Sequence, residues 1–266
     1  MECLSRESRF CFLCPMTILY FTTTGNSLAV AKAIGGRLKS IPAMLLHGET
    51  TISDDDAIGI VCPVHFGQVP EQVARFLFGA ELNAPYIFCI MTCGSTPALA
   101  AKHLLKIRSF DYIASIEMVD NYFPFFDVAR QVADLPRKQV ESHLGNIICD
   151  IAVRNRKIER SGIYGHIAGW YMRVFPLSKT AYRRFYITPG LCTGCGVCTR
   201  VCPIANITLS FEGLPVIADK CLTCGACYHN CPSKAIRYRG EKSSYSYRHP
   251  DVSLHEIIDS NNQTEQ

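Results

Sequence analysis

The sequence predicts an α/β domain with a doubly wound parallel sheet, followed by a smaller cysteine-rich domain. Two observations carry this prediction. Short apolar runs alternate with helical patterns over residues 16–150, and eight cysteines at regular spacing lie within residues 192–231. Buried strands separated by helices are typical of a parallel sheet that is covered on both faces. A chain of 266 residues is long enough for two such domains.

Apolar runs and helical spacing give the candidate elements of the first domain. The candidate strands, of which the second is the weakest, are Thr17–Phe21, Ile41–Leu46, Ala57–Val61, Tyr86–Met91 and Tyr112–Val119. Apolar residues that recur at helical spacing predict the connecting helices Asn26–Lys39, Glu71–Phe78 and Ala98–Ile107. Because most of these strand runs are continuously apolar, helices are expected on both faces of the sheet.

Composition and charge restrict the class of protein. Hydrophobic residues make up 48% of the chain and charged residues 19%, which is globular rather than disordered or coiled-coil composition. The net charge of +4 is too small to indicate nucleic-acid binding by itself. No apolar run reaches the ~18 residues of a membrane-spanning helix. Residues 1–15 lack signal-peptide features, and we expect them to be a disordered extension. Without a signal peptide the protein is expected in the cytoplasm, where thiols stay reduced.

Basic residues are concentrated between the two domains. Residues 151–189 contain eight Lys and Arg and a single Glu, whereas residues 1–150 carry a net charge of −3. The eight are Arg154, Arg156, Lys157, Arg160, Arg173, Lys179, Arg183 and Arg184. We interpret this segment as a largely helical connector. It is either a solvated helix surface or a docking face for an acidic partner or an anionic surface.

A run of hydroxyl-bearing residues lies where the first strand meets the first helix. This loop consists of Thr22, Thr23, Thr24, Gly25, Asn26 and Ser27. Hydroxyls and backbone N–H groups at a helix N-terminus can form an anion site, and a glycine lets the backbone approach a phosphate. The loop has neither the Lys of a nucleoside-triphosphate loop nor the glycines of a dinucleotide fingerprint. An ordinary helix cap is the alternative.

The segment Phe21–Ser27 resembles the phosphate loop of flavodoxins, which bind flavin mononucleotide (FMN) at the switch point of their sheet. The resemblance implies that loops after the later strands reach the flavin. These loops contain Val64, His65, Phe66 and Gly67, then Thr92, Cys93, Gly94 and Ser95, and finally Asn121 and Tyr122. Flavodoxins commonly stack aromatic rings on the flavin, and here only Phe66 and Tyr122 offer such rings. Each of these residues could also serve the loop structure alone.

Two cysteine runs with the same spacing form an internal repeat. The first is Cys192-x2-Cys195-x2-Cys198-x3-Cys202-Pro203; the second, Cys221-x2-Cys224-x2-Cys227-x3-Cys231-Pro232, follows 29 residues later. This is the spacing of bacterial two-cluster ferredoxins, in which the fourth cysteine of each run binds the other 4Fe–4S cluster. We therefore expect one cluster on Cys192, Cys195, Cys198 and Cys231, and the other on Cys221, Cys224, Cys227 and Cys202. Three cysteines at this spacing are unusual for zinc, and a cytoplasmic chain disfavours disulfides.

Residues 16–255 as a whole resemble the flavodoxin–ferredoxin fusion proteins of bacteria and archaea. Besides the two motifs, the resemblance rests on Asp120–Tyr122, on the basic connector and on the late segment Tyr247–Pro250. It implies an extension (1–15), a flavodoxin-like domain (16–150), the connector (151–184), a ferredoxin domain (185–240) and a tail (241–266). The implied function is electron transfer between FMN and two 4Fe–4S clusters, to or from redox proteins that the sequence does not identify.

A redox sensor and a flavin-dependent reductase are the alternatives to an electron carrier. A sensor would bind a partner in a redox-dependent way. A reductase would need a pocket over the flavin and a proton donor, for which His65 or Tyr122 is a candidate. No Ser–His–Asp set, paired carboxylates or nicotinamide fingerprint is identifiable, so no catalytic residue is predicted. A carrier is therefore favoured over a substrate-specific enzyme.

Overall fold

The computed structural model describes residues 16–160, 162–174 and 180–263. The predicted N-terminal extension, residues 1–15, lies outside the described residues. The first domain contains the strands β1 (Thr17–Tyr20), β2 (Arg37–Ser40), β3 (Thr51–Ser53), β4 (Ile58–Pro63), β5 (Glu81–Asn83), β6 (Ile87–Cys93) and β7 (Tyr112–Glu117). Five of them form a parallel sheet in the order β2-β1-β4-β6-β7, and β3 pairs separately with β5.

The central sheet is consistent with a flavodoxin-like fold. Numbered along the chain, its five strands have the order 2-1-3-4-5, which is the flavodoxin-like order. The helices that alternate with them are α1 (Asn26–Ile34), α2 (Ile41–Leu46), α3 (Glu71–Gly79), α4 (Ala100–Ile107), α5 (Val128–Ala133) and α6 (Val140–Ala152). Separate hydrophobic clusters cover the two faces: Ile18 and Ile90 belong to one, and Leu19 and Met91 to the other.

The prediction was wrong between the first two strands of the sheet. The helix predicted to run from Asn26 to Lys39 ends at Ile34, because Gly35 and Gly36 adopt positive φ angles of 87° and 101°. Residues 37–40 then form strand β2 at the sheet edge. The predicted strand Ile41–Leu46 is instead helix α2, for which the Ser40 side chain accepts a hydrogen bond from Ala43 N. The polar sequence of β2 gives no apolar run, so this edge strand was missed.

The cysteine-rich domain is built from two similar halves. Its elements are β8 (Phe185–Ile187), α8 (Val197–Arg200), β9 (Ile207–Leu209), β10 (Pro215–Ile217), α9 (Ala226–Asn230) and β11 (Ile236–Tyr238). The antiparallel pairs are β8–β11 and β9–β10. Positive φ angles recur at the 29-residue interval, in the pairs Gly194 and Thr223, Gly196 and Gly225, and Ala205 and Lys234. The sequence repeat is therefore also a repeat of backbone conformation.

The connector is helical in part, and the tail folds back onto the first domain. The described part of the connector contains helix α7, Ile163–Val174, and a 3₁₀ turn, Ala181–Arg184. The tail contains α10, Leu254–Asn261, which lies beside α2. Among the described residues, no helix is long and apolar enough to cross a membrane.

Candidate metal centres and the predicted phosphate loop

The eight cysteines of the repeat surround two cavities. Cavity A is lined by Cys192, Cys195, Cys198 and Cys231. Cavity B is lined by Cys202, Cys221, Cys224 and Cys227. Each cavity thus combines three cysteines of one run with the fourth cysteine of the other. The structure brings together the same sets of four that the ferredoxin resemblance implies.

Local backbone structure directs the cysteines into the cavities. Gly196 and Gly225, with φ angles of 70° and 74°, precede helices α8 and α9 and turn the chain around each cavity. The fourth cysteine of each run accepts a hydrogen bond from a backbone N–H four residues later. Asn206 N lies 3.3 Å from Cys202 Sγ, and Ala235 N lies 3.3 Å from Cys231 Sγ. These N–H groups stabilise negative charge on the sulfurs.

The thiols that line each cavity are not close enough together to hold a single metal ion. Within the part of the chain that the structure describes, no three His, Cys, Asp or Glu side chains are close enough to hold one metal ion. Thiolates around zinc, at a Zn–S distance of about 2.3 Å, lie roughly 3.8 Å apart. A 4Fe–4S cube carries its thiolates on different irons, so they are spread around a larger body. The two four-cysteine cavities therefore fit 4Fe–4S clusters.

Burial sets the acidity of the thiols. Burial raises the pKa of the Cys227 thiol well above its usual value, and the neighbouring Cys224 adds to the shift. Cys231 differs: burial raises its pKa, but hydrogen bonds from Ser233 and from backbone groups such as Ala235 N outweigh burial and lower the pKa. Cluster ligands are thiolates, so bound iron would have to compensate the buried negative charge.

The two cavities differ in their surroundings. Cavity A has one exposed cysteine, Cys195, beside the buried Cys198, whereas all four cysteines of cavity B are buried or partly buried. Apolar side chains at the β9–β10 hairpin and just before the first cysteine run are exposed around cavity A: Leu191, Leu209, Phe211, Leu214 and Val216. The wall of cavity B includes Phe185 and Gly225, which both contact Phe123 of the first domain. Cavity A therefore lies at the surface and cavity B next to the domain interface.

Comparison with known proteins identifies only the cysteine-rich domain. Residues 191–236 match the 4Fe-4S dicluster domain family. This match supports an iron–sulfur electron-transfer role for the domain. No curated protein matches the chain in sequence. The solved structure of a Trp repressor binding protein from Bacillus subtilis is similar at 8% identity, over 55% of this chain and 99% of that chain, with a TM-score of 0.31. That similarity is too weak to carry an argument.

The ferredoxin-like domain packs against the predicted flavin edge of the sheet. The ring of Phe123, which is fully buried, stacks on Tyr228 with 4.1 Å between ring centroids. His229 Nε2 donates to Asn121 O at 2.8 Å, and His229 Nδ1 accepts from Tyr247 N at 3.1 Å. These two hydrogen bonds fix the neutral tautomer of His229. One continuous hydrophobic cluster joins this interface to the sheet.

Three consecutive carbonyl groups of the predicted phosphate loop bind side-chain or backbone donors from the C-terminal part of the chain. Asn261 Nδ2 donates to Thr22 O, Asn230 Nδ2 to Thr23 O and His249 N to Thr24 O, at distances of 2.8–2.9 Å. Tyr247 Oη also donates to Asn26 Oδ1 at 2.8 Å. The tail and the end of α9 therefore cover the loop.

The hydroxyl groups of Thr22, Thr24 and Ser27 are also engaged within the protein. Thr22 Oγ1 accepts from Gly25 N at 3.0 Å, and Thr24 Oγ1 accepts from Asn121 Nδ2. Ser27 Oγ lies 2.9 Å from Thr92 Oγ1, with which it shares a hydrogen bond. Thr22, Thr23, Thr24, Asn26 and Ser27 are each exposed by 8% or less. In this conformation the loop has no open site for the FMN phosphate, because the hydroxyls of Thr22, Thr24 and Ser27 are paired and the loop is closed to solvent.

The other predicted flavin residues lie at the same edge of the sheet but contact one another. The rings of Phe66 and Tyr122 meet edge to face at 4.9 Å, Val64 N donates to Thr92 O, and Cys93 Sγ donates to Ile116 O. Lys138 Nζ donates to the carbonyl groups of Gly94 and Met118. His65 and Gly67 belong to the turn before α3, and Ser95 is exposed. The loops that the resemblance implies thus lie together at one edge of the sheet, and the covering residues Asn230 and Asn261 were not among the predicted residues.

Proposed function

We propose that this chain is an electron-transfer protein that carries two 4Fe–4S clusters. Cys192, Cys195, Cys198 and Cys231 would hold one cluster in cavity A, and Cys202, Cys221, Cys224 and Cys227 the other in cavity B. The crossed arrangement of the eight cysteines around two cavities is the observation that carries the proposal. A 4Fe–4S cluster supplies one-electron redox chemistry, and the protein sets its surroundings.

The residues around the two cavities would make the two clusters differ in their access to redox partners. Cys195 is exposed beside cavity A, and apolar side chains such as Phe211 surround this edge, so redox partners would approach the protein there. Cavity B is shielded by the first domain through Phe123. Backbone N–H groups such as Asn206 N and Ala235 N stabilise the charge of the ligating sulfurs.

FMN is not part of this proposal, although the sequence predicted it. Binding of the FMN phosphate at Thr22–Ser27 would require Asn121 to release Thr24 and the tail to leave the loop. Titration of FMN with the full-length protein is expected to give no saturable quenching of flavin fluorescence. Quenching that Thr24→Ala weakens by about tenfold, or ~1.4 kcal/mol, would restore FMN to the function.

Cluster content and ligand pairing test the proposed function. Protein reconstituted without oxygen should contain about eight irons and eight sulfides, since two cubes each contain four of both. Cys231→Ala should disturb the cavity A cluster in electron paramagnetic resonance spectra, and Cys202→Ala the cavity B cluster. The core thiol variant Cys89→Ala is the matched control. Zinc without iron, or loss of the Cys221–Cys227 cluster in Cys231→Ala, would refute the assignment.

A redox-sensing role is a second candidate because cavity B shares its wall with the domain interface. Gly225 lines this cavity, and a Cβ at this position would approach Phe123 to 2.9 Å, so a change in the cavity can reach the interface. Limited proteolysis of oxidised, reduced and cluster-free protein tests this role. A sensor predicts different cleavage between the oxidised and reduced forms, whereas a simple carrier predicts the same pattern for both.

The basic connector is only partly available for partners. Arg154 is paired with Asp56, and Arg156 Nη1 lies 2.9 Å from Asp111 Oδ1, so both guanidinium groups bind the first domain. Lys157 and Arg160 are exposed. An acidic redox protein, as the sequence predicted, would therefore use the exposed Lys157, Arg160, Arg183 and Arg184 rather than the whole connector. The cytoplasmic location and the domain boundaries stay predictions.

A further inference from the structure

Helix α7 exposes its large apolar side chains and turns its small residues toward the protein. Ile163, Ile167, Trp170, Tyr171 and Val174 are between 47% and 73% exposed. At about 100° per residue these positions fall within an arc of about 100° on one side of the helix. We call this arc the α7 apolar face. It reverses the usual arrangement of a surface helix.

The opposite side of α7 is shaped for close packing. Gly165 is buried, and Ala168 and Gly169 are partly buried. A Cβ at Gly169 would come within 2.5 Å of Leu99 Cδ1, so a larger residue here would force the Leu99 side chain to move. The small residues thus hold α7 against the first domain in an orientation that directs the apolar face outward. Contiguous exposed apolar surface of this kind marks an interaction site.

The segments that flank α7 in the sequence are predominantly basic, with Glu159 as the one acidic residue between Lys157 and Phe211. From Arg160 to Phe211 the sequence contains no Asp or Glu, but it contains six Arg and Lys. Lys157 and Arg160 precede the helix, and Arg183 follows it; all three are exposed. A second copy of the chain would bring like charges together across a two-fold axis, which disfavours self-association. The complementary occupant is an anionic surface.

We propose that α7 lies in the plane of an anionic lipid surface and docks the protein there without crossing it. Trp and Tyr on the apolar face are the aromatic residues that favour the boundary between lipid and water. Flanking Lys and Arg attract anionic headgroups, as in interfacial amphipathic helices. With 12 residues, α7 is about 18 Å long, which suits a helix lying in the interface rather than one spanning the bilayer.

The single tryptophan of the chain gives a direct test. Trp170 is the only Trp in the sequence, so intrinsic fluorescence reports on the α7 apolar face alone. Full-length reconstituted protein should sediment with vesicles of phosphatidylglycerol and phosphatidylcholine, with a blue shift of Trp emission. Binding should be weaker on pure phosphatidylcholine and should fall with added salt. Absence of both sedimentation and blue shift would overturn the proposal.

Matched variants separate α7 from other exposed residues. Ile167→Ser should lower the vesicle partition coefficient about tenfold or more, whereas Phe78→Ser, at an 86% exposed position on α3, should change it less than twofold. Arg160→Glu should lower binding to anionic vesicles at least fivefold, and Arg75→Glu on α3 should not. Circular dichroism and cluster absorbance verify the fold of each variant.

Two results would contradict docking of the α7 apolar face to lipid. A dimer in sedimentation velocity that Ile167→Ser converts to monomer, without vesicle binding, would identify a second copy as the occupant. Equal loss of vesicle binding in Ile167→Ser and Phe78→Ser would show that α7 has no special part. Either result refutes docking to lipid.

Discussion

Phe123 is the residue whose removal should most clearly separate the two domains. Its side chain comes from the loop after β7 and is fully buried. It stacks on Tyr228 at 4.1 Å and meets Phe185 and Tyr238 edge to face at 6.0 and 5.3 Å. Phe123→Ala therefore creates a cavity where the ferredoxin-like domain contacts the sheet.

The size of the effect follows from burial. A buried Phe replaced by Ala typically costs about 3–5 kcal/mol, which includes the lost transfer free energy and the cavity. In a chain of this size each kcal/mol corresponds to about 2–4 °C, so the melting temperature should fall by about 6–20 °C. Because Gly225 at the wall of cavity B packs on this ring, the cavity B cluster should also become more accessible to oxygen or chelator.

Thermal unfolding of the reconstituted protein and the rate of cluster loss to a chelator are the measurements. Phe125→Ala is the control, because Phe125 lies in the same loop but is 62% exposed. It should lower the melting temperature by only a few degrees and leave cluster loss unchanged. If Phe123→Ala has no larger effect than Phe125→Ala, the domain contact does not stabilise the protein and the reasoning is wrong.

Three further predictions concern the tail, a half-buried histidine and the connector. Ser253→Ala removes the N-cap of α10 and should destabilise the tail by about 0.5–2 kcal/mol, seen as faster amide exchange in residues 246–261. Burial lowers the pKa of His65 to about 4, below its unfolded value of about 6.5. Below about pH 6.5 the unfolded chain protonates His65 but the folded chain does not, so the free energy of unfolding decreases as the pH falls toward 4. Because His65→Gln removes this effect, its melting temperature should fall less between pH 7.5 and 5 than that of the unsubstituted protein. Arg154→Gln should lower the melting temperature more than Lys157→Gln, because Arg154 is paired with Asp56 and also lies over the Tyr86 ring.

Structural features that depend on local sequence patterns were predicted well. Continuous apolar runs located β1, β4, β6 and β7, since these strands are buried in the sheet. The 29-residue repeat likewise anticipated which cysteines share a cavity. The edge strand β2 was missed because it is polar and partly exposed, and α2 was taken for a strand because its six residues are mostly apolar.

The closed phosphate loop could not be predicted from its own residues. Thr22–Ser27 carry the right groups for an anion, and the strand–loop–helix context is correct. What closes the loop is contributed by Asn230, Tyr247, His249 and Asn261, more than 200 residues later. A local motif indicates which hydrogen-bonding groups a loop contains, but not which residues from distant parts of the chain bind those groups. The Tyr247–Pro250 segment supported the family resemblance, but its sequence does not indicate that it contacts this loop.

The two halves of the cysteine-rich domain differ at the residues that contact the first domain. A duplicated module with two similar halves could dock through either half. In this chain the second half carries Tyr228, His229 and Asn230, whereas the equivalent positions of the first half, 29 residues earlier, are Thr199, Arg200 and Val201. Only the second triplet supplies the stacking ring and the donors that bind the first domain. Asymmetry between two otherwise equivalent copies thus selects one docking orientation for the cysteine-rich domain.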